Sequence, residues 1–275
     1  MKQISILGCG WLGLPLAKSL IEKGFSVKGS KTSVEKVSVL ENSGIQAFQI
    51  LLDENEIDGA INSFLENSEI LIIDIPPKLR ENSKEDFVQK IQNLIPFIEK
   101  STLKKIVFIS STSVYADLPL DCARGDKNKV TEETIANPET ESGKQLLKTE
   151  NLLQSNLNFK TTVIRFGGLI GENRHPIYIL AGRKNIENPD APINLIHQSD
   201  CIGIIKSIIE QECWNETFNA VAPFHPTRKD YYTQKAAQFN LPIPEFETGK
   251  ISVGKTISND KVETVLGYTF QNTTL

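Results

Sequence analysis

A chain of 275 residues, 39% hydrophobic and 23% charged, is long enough to bury a full core and has the composition of an ordinary globular protein. Its net charge of −4 argues against a nucleic-acid partner, which requires a basic surface to neutralise phosphates. No apolar run reaches membrane-spanning length and no signal-like segment precedes the first strand, so neither a membrane partner nor export is expected.

The run Gln3–Leu7 reads as a buried strand and residues 12–23 as a helix, which places Gly8, Gly10 and Gly13 of Gly8-Cys9-Gly10-Trp11-Leu12-Gly13 on the turn between them. That spacing suits a dinucleotide: a tight turn, close approach of backbone to a pyrophosphate, and close packing of helix on strand. The helix N-terminus adds unpaired N–H groups and a positive dipole end. The alternative is a tight strand-to-helix turn that binds nothing.

Strand and helix patterns then alternate. Residues 26–29 read as a short strand, 33–43 as a helix and 46–50 as a third strand. Ile57, Ala60, Ile61, Phe64 and Leu65 trace a helical stripe, and 69–75 form a strong fourth strand ended by Pro76-Pro77. Phe87, Ile91, Leu94, Ile95 and Ile98 recur at helical period. Residues 105–110 are a strand, Glu141–Gln154 a helix and Lys160–Phe166 a strand. Such alternation predicts right-handed βαβ units and a doubly wound parallel sheet, a Rossmann fold, over residues 1–166. Between 167 and 192 Gly, Pro, Asn and Arg cluster. A helix over 199–210 capped by Ser199, a strand over 216–221, a helix over 227–239 and a short helix over 259–266 with Gly267 as C-cap follow. Residues 167–275 are therefore expected to supply the remaining sheet elements and a small substrate lobe over the carboxyl edge of the sheet.

The second strand bears on cofactor choice. NAD sites commonly place an acid there for the ribose hydroxyls, yet Val27-Lys28-Gly29-Ser30-Lys31-Thr32 has none. Ser30, Lys31 and Thr32 could hold a 2′-phosphate instead, which favours NADP with NAD as second choice. The alternative is a solvated turn that happens to carry a lysine. Cys9, Cys122, Cys201 and Cys213 lack CxxC spacing, and His175, His197 and His225 are scattered. Reduced thiols, a cytoplasmic protein and no metal site are expected.

Ile109-Ser110-Ser111-Thr112-Ser113-Val114-Tyr115, Arg165-Phe166-Gly167-Gly168-Leu169-Ile170-Gly171 and Asn194-Leu195-Ile196-His197 with Asp200 add to the N-terminal glycines. Together, over nearly the whole chain, they resemble the extended short-chain dehydrogenase/reductase family, the NAD(P)-dependent epimerase/dehydratase-like group. The resemblance implies that Ser111, four residues before Tyr115, polarises a substrate oxygen. The residues alone equally allow that Ser110 to Ser113 satisfy backbone groups in the turn. It also implies cofactor contacts along Gly8, Gly10, Trp11, Leu12, Gly13 and Ser110, and a wall beside the nicotinamide at Pro76 and Pro77.

The family pairs a Tyr with a Lys four residues later on the helix after this strand, often with a Glu four beyond. Glu150 fits that Glu, which puts Ser142 at the Tyr position and Leu146 at the Lys position. Lys144 and Lys148 then point roughly 200° away from Leu146. No register supplies a tyrosine, because none lies between Tyr115 and Tyr178. An aliphatic hydroxyl at Ser142 is a far poorer proton donor than a phenol of pKa about 10. Tyr115 is expected to pack. Asn173 and Arg174, after the glycines of strand six, are candidates for an anionic or sugar-like substrate group. Two functions stay open: an NAD(P)-dependent oxidoreductase or epimerase-like enzyme on a small polar substrate, and a dinucleotide-binding sensor on the same fold. The sequence does not reveal the oligomeric state.

Overall fold

The computed structural model describes residues 2–77, 85–120 and 129–274; Cys122 lies outside them. Eight strands form the main sheet: β1 (Gln3–Leu7), β2 (Ser26–Lys31), β3 (Gln46–Leu52), β4 (Ile57–Gly59), β5 (Ile70–Ile73), β6 (Lys105–Ser111), β7 (Lys160–Phe166) and β8 (Thr217–Ala220). Their order is β8-β7-β6-β5-β1-β2-β3-β4, and every pairing is parallel except β3 with β4. The central strands Ile4, Ile6, Ile70 to Ile73 and Ile106 to Phe108 are buried on both faces, as near-continuous apolar runs of a parallel sheet must be. The chain leaves β1 toward β2 on one side and reaches β5 on the other, so the topological switch point lies at the carboxyl ends of β1 and β5.

Helices cover both faces. Leu16 and Leu20 of α1 (Gly13–Glu22) share one apolar cluster with Ile204 and Ile208 of α6 (Gln198–Glu210) and Val262 of α8 (Asp260–Leu266). α2 (Val37–Glu41) adds Leu40. On the other face α3 (Ile61–Leu65), α4 (Phe87–Lys100) and α5 (Glu141–Gln154) supply Phe64, Ile91, Leu94 and Leu153. A third cluster joins Ile170, Ile177 and Leu195 to Tyr231 and Tyr232 of α7 (Arg228–Gln238), forming a small lobe. This is a Rossmann-type α/β fold with a large, mostly parallel sheet. Among the described residues no helix is long and apolar enough to cross a membrane.

Several local expectations are corrected. Residues 57–59 are not the start of a helix but the antiparallel edge strand β4. Gly59 adopts φ +113, and a Cβ there would lie 2.2 Å from the Gln49 carbonyl oxygen, so this pairing needs glycine. β2 runs on to Lys31, and residues 33–43 split into a 3-10 turn (Val34–Lys36) and α2. In the stretch after β7, where Gly, Pro, Asn and Arg cluster, Gly168–Ile170 pairs in parallel with Leu195–His197, and Ile177–Leu180 is a helical turn. α6 is capped not by Ser199 but by His197, whose Nδ1 accepts the Ser199 N–H at 3.2 Å. Gly267 does end α8, at φ +55.

One polar anchor matters for the whole molecule. The Asp200 carboxylate, fully buried in the first turn of α6, accepts hydrogen bonds from Tyr268 Oη (2.9 Å), the Gln271 N–H (2.7 Å) and Asn272 Nδ2 (2.9 Å).

Candidate functional site

The three N-terminal glycines have three different surroundings. Gly8 sits at φ +102, and a Cβ there would lie 2.3 Å from the Asp74 carbonyl oxygen. A Cβ on Gly13 would lie 2.4 Å from the Gly8 carbonyl oxygen, so α1 can approach the turn only without a side chain. A Cβ on Gly10 would meet nothing within 4 Å. Two of these glycines are therefore required by the protein itself, and the third opens on empty space. Ser30 completes the turn: its Oγ accepts the Gly8 N–H at 3.0 Å and its carbonyl accepts the Cys9 N–H at 2.9 Å. Burial pushes the Cys9 thiol up to about 12, so it stays neutral.

Two adjoining cavities share Gly10, Asp74, Ile75 and Pro76. The first, about 360 Å³, is bordered by Gly8, Ser30, Lys31, Thr32, Lys36 and Asp53. The second, about 720 Å³, is bordered by Trp11, Leu12, Pro77, Ser110, Ser111, Ser142, Leu146, Leu169 and Arg174. Their combined size and the open space at Gly10 suit an extended dinucleotide with its pyrophosphate at the N-terminus of α1.

The far wall is built from β6 and α5. Thr140 caps α5 by accepting the Gly143 N–H at 3.1 Å, and a Cβ on Gly143 would lie 2.4 Å from the Ser113 carbonyl oxygen. That close approach brings α5 against the end of β6. Ser142 and Leu146 consequently line the same cavity as Ser110 and Ser111, while Lys144 and Lys148 are exposed. Ser111 Oγ accepts the Ser113 N–H at 3.1 Å, which fixes the oxygen and leaves its own proton to donate. Ser110 Oγ donates to Glu150 at 2.5 Å. Glu150, buried, pairs with Arg165 at 2.6 Å, and Arg165 Nη1 donates to Tyr115 Oη at 2.5 Å. Tyr115 Oη in turn donates to Asn219 at 3.0 Å. Tyr115 thus belongs to a buried network behind the wall, and burial raises its phenol above the usual value against the opposing pull of Arg165.

Sequence reasoning missed Asp74. It borders both cavities, one of its carboxyl oxygens lies 3.0 Å from where a Gly13 Cβ would stand, and the Gly13 backbone and Arg174 both favour its charged form. Burial outweighs those two influences and pushes it up to about 7. An acid at the carboxyl end of an otherwise apolar strand, directly before Ile75-Pro76-Pro77, was the available signal. Arg174 stacks over the Trp11 ring at 4.8 Å, and Gln198 Nε2 holds the Trp11 carbonyl at 2.6 Å. Asn173, expected beside Arg174 in the substrate site, is absent from both linings. Gly171 and Arg174 bond each other's backbones in a tight turn, which leaves Asn173 at its exposed tip. His175 is tied to Tyr231 Oη at 2.9 Å and to the Ile177 N–H, inside the lobe. No cluster of three or more potential metal ligands occurs among the described residues, and Cys9, Cys201 and Cys213 are free thiols.

The fold is shared with dinucleotide-binding sugar enzymes. A structure from Methylobacillus flagellatus, provisionally named NAD-dependent epimerase/dehydratase, superposes with TM-score 0.79 at 23% identity, covering 98% of this chain and 93% of that one. UDP-glucuronic acid 4-epimerase from Bacillus cereus, in complex with UDP-glucuronic acid and NAD, gives TM-score 0.79 at 17% identity, covering 98% and 94%. The class of architecture is thus the Rossmann fold, shared with both of these structures. No family model matches the sequence. Protein YeeZ of Escherichia coli strain K12 is 33% identical over 281 residues, covering 98% of this chain and 96% of the relative, and the chain belongs to the family of that protein.

Proposed function

We propose that the chain binds NAD(P), with NADP favoured over NAD, and acts as an oxidoreductase or epimerase/dehydratase-like enzyme on a small, polar, sugar-like substrate. The observation that carries this reading is the continuity of the cavity, which runs from the glycine turn to three serine hydroxyls, those of Ser110, Ser111 and Ser142. The Gly8–Gly13 turn and the first turn of α1 would hold the pyrophosphate. Lys31 and Thr32 would hold a 2′-phosphate, with Ser30 supporting the turn beneath. Pro76 and Pro77 would wall the nicotinamide. The nicotinamide, when bound, supplies hydride transfer.

Ser111 keeps a proton to donate to a substrate oxygen and so polarises it, and Ser142 offers a second hydroxyl from the same wall. Arg174 would take an anionic or sugar-like group at the cavity's rim. The Bacillus cereus neighbour's UDP-glucuronic acid supports a sugar-like substrate here.

A specific observation favours a second reading, a dinucleotide-dependent sensor: Ser142 and Leu146 line the cavity while Lys144 and Lys148 are exposed, and the resemblance to the short-chain dehydrogenase/reductase family would put a Tyr and a Lys at the first two positions. A panel assay of substrate-dependent NADPH oxidation separates the two. Turnover that disappears in Ser111→Ala supports the enzyme. Dinucleotide binding without turnover across a broad panel supports the sensor.

A further inference from the structure

Asp74 poses an electrostatic conflict. It stands where the proposed pyrophosphate must pass, bordering both cavities, with a carboxyl oxygen 3.0 Å from where a Gly13 Cβ would stand, beside the N-terminus of α1 where a ligand phosphate would sit. A carboxylate in contact with a phosphate repels it, and a partly buried site screens that repulsion poorly. The neighbourhood offers little relief. Arg174 is the cation whose field reaches Asp74, and it lies over Trp11 at the rim. The Cys9 and Cys201 thiols also feel Asp74, but both are raised by burial and stay neutral. Lys31, Lys36, Asp53 and the ion-paired Glu85 and Lys90 border the smaller cavity. His197, on the element that carries Gln198 to Trp11, has its Nδ1 engaged by Ser199. A protonated carboxyl removes the conflict and gains a donor: one oxygen stays an acceptor beside Gly13 while the other carries a proton.

We propose that Asp74 contacts the dinucleotide as a neutral acid, its carboxyl O–H donated to a phosphate oxygen, so that the protein takes one proton from solvent when the ligand binds. This rests on the dinucleotide reading of the cavity. Because burial already lifts the free carboxyl to about 7, protonation on binding is within easy reach at neutral pH. Below that value the acid is already neutral and affinity is at its maximum. Above it each further pH unit weakens binding about tenfold, until the complex itself loses the proton.

Calorimetric titration with NADH, which has no titrating 2′-phosphate, from about pH 6 to about pH 8.5 in two buffers of different ionisation heat counts the protons directly. NADPH covers strict selectivity, with its own titration subtracted using Asp74→Asn. Wild-type protein is expected to take up close to one proton above about pH 7.5, and Asp74→Asn to bind with flat pH dependence and no uptake. Binding without proton uptake by the wild type, or uptake that persists in Asp74→Asn, overturns the proposal and leaves the dinucleotide reading intact. The wild-type count decides even where the variant fails to fold. Absence of any dinucleotide binding at every pH overturns the parent reading instead.

Discussion

The two walls of the cavity are made of different material. At the glycine turn itself the surface is main chain, held by contacts a Cβ would destroy at Gly8 and Gly13. On the opposite side it is side chain: Ser110, Ser111, Ser142 and Leu146, held in place by the Thr140 cap, the close approach at Gly143 and the buried Glu150–Arg165 pair. A backbone wall admits few changes, because sterics alone define it. A side-chain wall can be rewritten residue by residue while the network behind it keeps the frame. That is where proteins of one fold part ways in function.

The sharpest way to break this contrast is to remove the frame of the side-chain wall. Glu150→Ala leaves Arg165 buried without its carboxylate and is expected to cost about 3–5 kcal/mol in denaturant unfolding. A loss below about 1 kcal/mol would show that the pair does not support the wall. Next comes the backbone wall. Gly10→Val fills open space, so NAD(P)H affinity should fall at least about 100-fold, roughly 2.7 kcal/mol, with the unfolding midpoint unchanged. Gly8→Ala should do the reverse and lower the midpoint, because its Cβ meets the Asp74 backbone. If both variants behaved alike, the division of labour among the glycines would be wrong.

A smaller effect sharpens the cofactor end. Lys31→Ala should erase about a tenfold preference for NADPH over NADH, near 1.4 kcal/mol, and raised salt should shrink that preference in the wild type. Equal affinities in the wild type would make Lys31 a solvated surface residue. The smallest expectation is no effect at all: Lys144→Ala and Lys148→Ala should change dinucleotide affinity and stability by less than about 0.5 kcal/mol, since both are exposed on α5. A tenfold loss of affinity in either would restore an ordinary family lysine to the site.

The same contrast explains what the sequence disclosed. Glycine spacing and apolar runs have short-range causes, so the glycine turn, the parallel strands and the bounds of α5 and β7 are legible directly. Ser142 and Leu146 line the cavity with Ser111, and what singled them out was the register that the family resemblance implies through Glu150, from which helical period only carried the exposure of Lys144 and Lys148. Other features depend on partners distant in sequence. β4 exists because Gly59 allows residues 57–59 to lie against β3, which a local helical stripe cannot reveal. Asn173 leaves the site because of a backbone turn that its own side chain does not specify. Ser199 gave way to His197 as the cap because the helix begins earlier, at Gln198, and the imidazole Nδ1 accepts the N–H of Ser199 itself. Asp74 escaped notice since a lone acid in an apolar strand becomes significant only once β5 lies beside the glycine turn.

Asp200 carries a consequence for the far end of the sequence. Its partners Tyr268, Gln271 and Asn272 follow it by 68, 71 and 72 residues. One carboxylate thus fastens the segment after α8 to the first turn of α6, and Asp200→Ala would leave those donors without their acceptor and loosen both ends of the link together.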